Sequence, residues 1–299
     1  MMYYHYPVLL KESVNGLNIK SSGIYVDATF GGGGHSREIL VRLKDGRLFG
    51  IDCDEDAANN IIDDRRFVFI HGNFRFLKNY LRFYGIKKVD GIIADVGVSS
   101  HFFDSMERGF SYRQNGLLDM RMNQKSEFMA KDILNNYSDE SLARVFHDYG
   151  ELKNARSLAK QIIACRKEKK FEKNGQLIKA ISKLIPAKKE NQYMARVFQS
   201  LRIEVNNEIE NLKEFLTQTA DLITGGGRLA VISYHSLEDR LVKNFIRWGN
   251  FSEGPDRDIY GNYRVPFNAV NKRVITPDDE EIKNNSRAKS AKLRIAEKN

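Results

Sequence analysis

Three aspartates each close a short apolar run, and four consecutive glycines follow the first of them. Asp27 lies in Tyr25-Val-Asp-Ala-Thr-Phe-Gly-Gly-Gly-Gly-His-Ser36, Asp52 ends Leu48-Phe-Gly-Ile-Asp52, and Asp95 ends Val89-Asp-Gly-Ile-Ile-Ala-Asp95. Successive glycines let the backbone turn tightly and approach a ligand without Cβ interference. A carboxylate about twenty residues beyond such a turn can accept both hydroxyls of a ribose. Gly31, Gly33 and Ser36 roughly satisfy the spacing of a dinucleotide fingerprint, so NAD and S-adenosylmethionine both fit these features.

These residues need a scaffold that brings strand ends together. Strand-like runs are expected at Ile24–Phe30, Arg47–Ile51, Phe67–Ile70 and Val89–Val96, with helices near Ser36–Leu43, Glu55–Ile62 and Phe74–Tyr84. That alternation predicts a parallel α/β sheet with right-handed crossovers. From Met106 to about Asn206 only helical periodicity is visible, and Tyr193 to Leu216 continues it. A fifth strand is expected at Arg228–Tyr234 after the turn Gly225–Gly227, then a helix at Leu237–Trp248 and closing strands at Lys272–Ile275 and Lys292–Ala296. The economical organisation is a core at 1–105 and 207–299, interrupted by an all-helical insertion at 106–206. Three details then favour the methyl donor over NAD. Asp27 would attract a cationic amino-acid end and repel a pyrophosphate. Asp95 supplies a further acid, and Gly-Gly-Gly-Arg-Leu before the fifth strand is a familiar lead-in among methyltransferases. An NAD-dependent oxidoreductase is the alternative within enzymes. A non-catalytic RNA-binding or assembly factor is the alternative outside them.

With 299 residues, 41% of them hydrophobic, the chain can bury a large core. Two cysteines, Cys53 and Cys165, are too few for a disulfide framework or a Cys-based metal site, so a reduced, cytoplasmic setting and no metal are expected. No signal peptide is legible, and no apolar run approaches the roughly 20 residues of a membrane span. Residues 151–189 carry twelve Lys or Arg against three acids, a surplus equal to the net charge of +9 for the whole chain. A second basic run joins Lys283, Arg287, Lys289, Lys292 and Arg294. Charge so concentrated beside a small-molecule pocket predicts a polyanionic partner, most simply nucleic acid.

Eight ordered blocks carry a resemblance that spans almost the whole chain. They are His5-Tyr-Pro-Val-Leu-Leu-Lys-Glu12, Asp27-Ala-Thr-Phe-Gly-Gly-Gly-Gly-His35, Asp95-Val-Gly-Val-Ser-Ser100, Arg108-Gly-Phe-Ser111, Leu118-Asp-Met-Arg-Met122, Phe198-Gln-Ser-Leu-Arg-Ile-Glu-Val-Asn206, Ser233-Tyr-His-Ser-Leu-Glu-Asp-Arg240 and Ser290-Ala-Lys-Leu-Arg294. The chain resembles the bacterial small-subunit rRNA cytosine-N4 methyltransferases known as RsmH or MraW. That resemblance implies a class I (Rossmann-like) S-adenosylmethionine methyltransferase core with a helical insertion. It also implies methylation of the exocyclic N4 of a cytidine in the decoding region of 16S rRNA. Carried over, the cofactor contacts are Gly33, Gly34 and His35 in the loop, Asp52 on the ribose, and Phe74 and Asp95 on the adenine side. The family's Ser-Ser-x-Gln pattern has Phe102 at its glutamine, where a backbone contact or stacking would have to substitute. Asn115 and Asn123 stand where the family tends to have Asp, and Leu117 where it tends to have Pro.

Cytidine N4 is a poor nucleophile because its lone pair is delocalised into the ring. An enzyme must align it with the methyl group and accept hydrogen bonds from the amino group. Asp95, with Ser99 and the Val96–Gly97 backbone, is the expected acceptor. Asp119 and His235 are two further catalytic candidates, although Asp119 could equally pair with Arg121 or Arg113. Ser233, His235 and Asp239 lie on one local segment without a nucleophile elbow, which excludes a hydrolase triad. Phe102, Phe103, Phe110 and Tyr112 are candidates to stack on an extruded base. Lys167, Lys169, Lys170 and Arg121 are the expected RNA contacts. The sequence leaves open whether the partner is naked rRNA or an assembled subunit, and whether the chain works as a homodimer.

Overall fold

The computed structural model describes residues 7–97, 105–186, 188–263 and 265–299. The chain divides into two compact units, Met1–Gly97 with Ile209–Asn299, and Val98–Glu208. The first unit begins with α1 (Leu10–Gly16), β1 (Ile24–Asp27), α2 (Gly34–Arg42), β2 (Arg47–Asp52), β3 (Phe67–His71), α3 (Leu77–Phe83) and β4 (Val89–Asp95). The second unit contributes α4 (Ala130–Asn136), α5 (Asp139–Asp148), α6 (Ala155–Glu168), α7 (Asn174–Ile181) and α8 (Glu190–Asn206). The first unit is completed by α9 (Glu208–Leu222), β5 (Ile223–Ser233), α10 (Ser236–Trp248), β6 (Phe267–Ala269), α11 (Asp279–Asn284) and β7 (Lys292–Lys298).

The seven strands form one sheet in the order β3-β2-β1-β4-β5-β7-β6. Strands β1 to β5 run parallel, and β7 is antiparallel to both neighbours. Parallel strands covered on both faces need apolar side chains on both, which is why they read as continuous apolar runs. Val26, Phe49 and Ile92 pack with Leu77 and Leu81 of α3, Leu212, Phe215 and Leu216 of α9, and Val242 and Phe245 of α10. On the opposite face, Tyr25, Leu48 and Ile93 meet Val14 of α1, Leu17 just after it, and Ile39 and Leu40 of α2. The alternation along each strand therefore sorts Val26 from Tyr25 and Ile92 from Ile93. The helical unit has its own core, built around Leu134, Phe146, Leu158, Ile162, Leu177, Val197 and Leu201.

Four expectations are corrected. The segment after β2 is a 3-10 turn, Glu55–Asn60, capped by Asp54, rather than an α-helix. Its Asp and Asn side chains compete with the backbone for hydrogen bonds. The long periodic stretch after Tyr193 is two helices, because Asn207 adopts φ 51° and ends α8 in the left-handed region. Met194, Val197 and Leu201 accordingly join the helical core, while Leu212 and Leu216 pack beneath the sheet. The expected Lys272–Ile275 strand reduces to one bridge, Ile275 to Leu293, and the edge strand is β6 instead. Asn271 explains this: its side chain accepts from the Ile295 N–H (2.7 Å) and donates to the Arg273 carbonyl (2.7 Å), replacing ladder bonds. Finally, Gly225–Gly227 lies inside β5, where the pairing with β4 shifts register between Val89 and Gly91.

Candidate active site

The sheet order places the ends of β1, β2 and β4 side by side, with β1 between its partners. Asp27, at the end of β1, is almost wholly buried. It accepts hydrogen bonds from Ser36 Oγ (2.7 Å) and the Thr29 N–H (3.2 Å). Asp52 accepts from the Gly31 N–H (2.7 Å) and the Asp54 N–H (2.9 Å), so its carboxylate orients the glycine turn. The Asp95 N–H donates to Thr29 Oγ1 (2.6 Å). Among the described residues, Asp95 Oδ1 is buried and meets no hydrogen-bond donor. Burial pushes the carboxyls of Asp27, Asp52 and Asp95 each up to about 6, and the charge of Asp27 adds to the rise at the other two.

The turn itself is built by glycine. Gly31 has φ 50° and Gly33 φ 73°, and Gly33 forms the N-cap of α2. A Cβ on Gly33 would lie 2.4 Å from Arg37 Nη1 and 3.0 Å from the Phe30 ring. Gly34 opens α2, and a Cβ there would meet the Pro7 ring at 2.7 Å. His35 is buried, with Nε2 3.1 Å from the Val8 carbonyl; burial lowers its pKa, although the Asp95 charge opposes this. A neutral imidazole that donates to Val8 follows. His35 thus pins the N-terminal segment beneath the turn. Asn60 Nδ2 donates to the Gly31 carbonyl (3.1 Å) and Arg37 Nη1 to the Gly32 carbonyl (2.8 Å). Neither contact was foreseen: Arg37 lies just beyond the motif, whereas Asn60 reaches it from the far end of the 3-10 turn after β2.

Phe74 follows β3 and packs edge-on against Phe215, with ring centroids 5.2 Å apart, so part of the ring belongs to the core. His235 is the N-cap of α10: its Nδ1 accepts from the Glu238 N–H (3.4 Å), and Glu238 accepts from the N–H groups of Tyr234 (2.9 Å) and His235 (3.3 Å). This capping box engages the imidazole structurally, and the pattern His-x-x-Glu was available to show it. Asp239 binds Lys292 (3.3 Å) and Arg294 (2.7 Å), so the end of the second basic run serves to tie α10 to β7.

The remaining candidates belong to the helical unit. Asp119 and Arg121 form a two-pronged pair at 2.8 and 2.7 Å, and Arg121 Nη1 donates to the carbonyls of Gln124 and Ser126. The carboxylate is therefore matched by its neighbour, and four of the five guanidinium N–H groups are engaged by these contacts. Phe110 is buried and offers no open ring face, while Tyr112 is half-buried and meets Phe198 edge-on at 5.9 Å between centroids. Phe102, Phe103 and Ser99 lie outside the described residues. Lys167, Lys169 and Lys170 are exposed at the end of α6. Every other basic residue of 151–189 is exposed as well, except Arg166, which donates to the carbonyls of Leu134 (3.0 Å) and Tyr137 (2.7 Å).

A parallel sheet with acids at three adjacent strand ends around a glycine turn is the construction of the class I methyltransferases. The sequence profile of the MraW methylase family matches residues 2–299. A protein of Flavobacterium johnsoniae named ribosomal RNA small subunit methyltransferase H is 56% identical over 298 residues, covering 99% of this chain and 98% of that one. Its namesake in Bacteroides fragilis is 54% identical over 296 residues, covering 99% and 97%. The chain belongs to the MraW methylase family. A solved putative methyltransferase from Streptococcus mutans, bound to SAH, aligns over 99% of this chain and all of its own at 12% identity and a TM-score of 0.42.

Proposed function

We propose that the chain transfers the methyl group of S-adenosylmethionine to the exocyclic N4 of a cytidine in the decoding region of 16S rRNA. The observation that carries the chemistry is the set of strand-end carboxylates around the glycine turn, with Asp95 Oδ1 buried and without a donor. Such a donor set fits a cofactor that is cationic at one end and carries a ribose diol. Family membership supplies the substrate.

When bound, the cofactor provides the electrophilic methyl group, and the protein has to do the rest. Asp52 already accepts two backbone N–H groups, which fix its orientation and leave one lone pair on each oxygen for a ribose diol. Asp27 places negative charge beneath the turn, where an ammonium would be drawn. Asp95 is mostly ionised at neutral pH, given a carboxyl at about 6. Its Oδ1 is suited to accept an amino hydrogen from cytidine and to draw electron density toward N4. Lys167, Lys169 and Lys170 would contact phosphates of the RNA, and the small ribosomal subunit is the partner. No helix among the described residues is long and apolar enough to cross a membrane. We place the reaction in the cytoplasm.

The test is to incubate the protein with labelled S-adenosylmethionine and small subunits from cells lacking this activity, then digest the RNA to nucleosides. The expected product is labelled N4-methylcytidine. Asp52→Ala should weaken cofactor binding by about 100-fold, as loss of a charged hydrogen-bond pair implies. Label on another atom would discard the substrate and keep the fold. Full transfer by Asp52→Ala with unchanged affinity would overturn the ribose assignment.

A further inference from the structure

We propose that Asn60 and Arg37 are positioning residues that hold the glycine turn in its binding shape before the cofactor arrives. They would then set affinity for S-adenosylmethionine and leave the transfer step untouched. The proposal rests on the reading of this turn as part of the cofactor site. Asn60 is the last residue of the 3-10 turn Glu55–Asn60, and its Nδ2 donates to the Gly31 carbonyl (3.1 Å). Arg37, in α2, divides its guanidinium between two carbonyls, Gly32 through Nη1 (2.8 Å) and Asn60 through Nη2 (3.3 Å). Glycine turn, helix and 3-10 segment thus close into one hydrogen-bonded ring.

Gly31 is gripped at both of its polar groups by a single short stretch of chain. Asp52 Oδ2 accepts from its N–H (2.7 Å), and Asn60, further along the same stretch, donates to its carbonyl. That stretch is itself braced, because the Asp54 N–H returns to Asp52 Oδ1 (2.9 Å). The Gly33 N–H goes to the Phe30 carbonyl (2.7 Å). At Gly32, by contrast, a Cβ would meet no protein atom within 4 Å, so the turn is tied down behind and open in front.

The need for such a clamp follows from the sequence. Four successive glycines have more backbone freedom to lose than any other four residues. An unclamped turn would sample many shapes, and a cofactor that had to order it would bind more weakly. Once bound, the cofactor holds the turn itself, so the alignment of the methyl group is the same with or without the clamp. Both side chains are half-buried, and shortening them opens no cavity in the core.

Asn60→Ala is expected to raise the Kd and KM for S-adenosylmethionine about 5- to 10-fold and to leave kcat at saturating cofactor within about twofold. Arg37→Lys, which keeps the charge and loses the fork, should act in the same direction. In cofactor-free protein, hydrogen exchange of the Gly31 and Gly33 amides should quicken about 10-fold in either variant, and return to the wild-type rate when cofactor saturates. Unchanged affinity in both variants would overturn the proposal, whatever happens to the thermal midpoint, and so would a fall in kcat as large as the loss of affinity. Asp52→Ala separates the two readings. If it weakens binding while the Asn60 and Arg37 variants bind as wild type, the proposal fails alone. If Asp52→Ala binds as wild type, the cofactor site lies elsewhere and the proposal falls with it.

Discussion

Asp27 sits where a charge is costly and a cationic ligand is welcome. Its carboxyl, raised by burial to about 6 in the folded chain, titrates near 3.9 when unfolded. The folded state thus holds the extra proton between those values. Stability that is full below about pH 4 is lost as the pH rises through 6. Asp27→Asn should therefore stabilise the cofactor-free protein at pH 7.5 by about 1–3 kcal/mol and flatten its dependence on pH between 4 and 6. Urea unfolding across that range checks it; a lower midpoint would mean that the Ser36 and Thr29 hydrogen bonds outweigh the burial. The three acids were legible because each ends an apolar run. Asn60 was not, since nothing at that position signals the glycine turn whose Gly31 carbonyl its side chain reaches.

At the scale of elements, α10 depends on one side chain. Glu238 is 3% exposed and binds two N–H groups ahead of the helix. Glu238→Ala should lower stability by about 1–3 kcal/mol, read as a fall in the thermal midpoint. An unchanged midpoint would show that water or the His235 backbone replaces the cap. The parallel alternation was readable from composition and spacing alone, because buried parallel strands leave continuous apolar runs. The insertion was expected to end at 206, yet apolar spacing runs straight through Asn207, and only the left-handed backbone there shows one helix ending and another beginning. Asn271 hid the true edge strand in the same way, by lending side-chain atoms to the ladder.

Across the molecule, charge is sorted between units: the surplus of residues 151–189 equals the net +9 of the chain. Combined reversal of Lys167, Lys169 and Lys170 to Glu should weaken binding to small-subunit RNA and reduce the slope of log affinity against log salt by about 2–3. Filter binding from low to high salt would measure this. An unchanged slope would make these lysines a solvated face with no part in recognition. The order of the sheet also has a consequence for synthesis. β7 lies between β5 and β6, so the sheet stays open on one side until residues 292–298 have been made. A nascent chain can thus assemble the locally connected helical unit early, while β4, paired with β1 on one side, must wait for its other neighbour, β5, more than a hundred residues downstream.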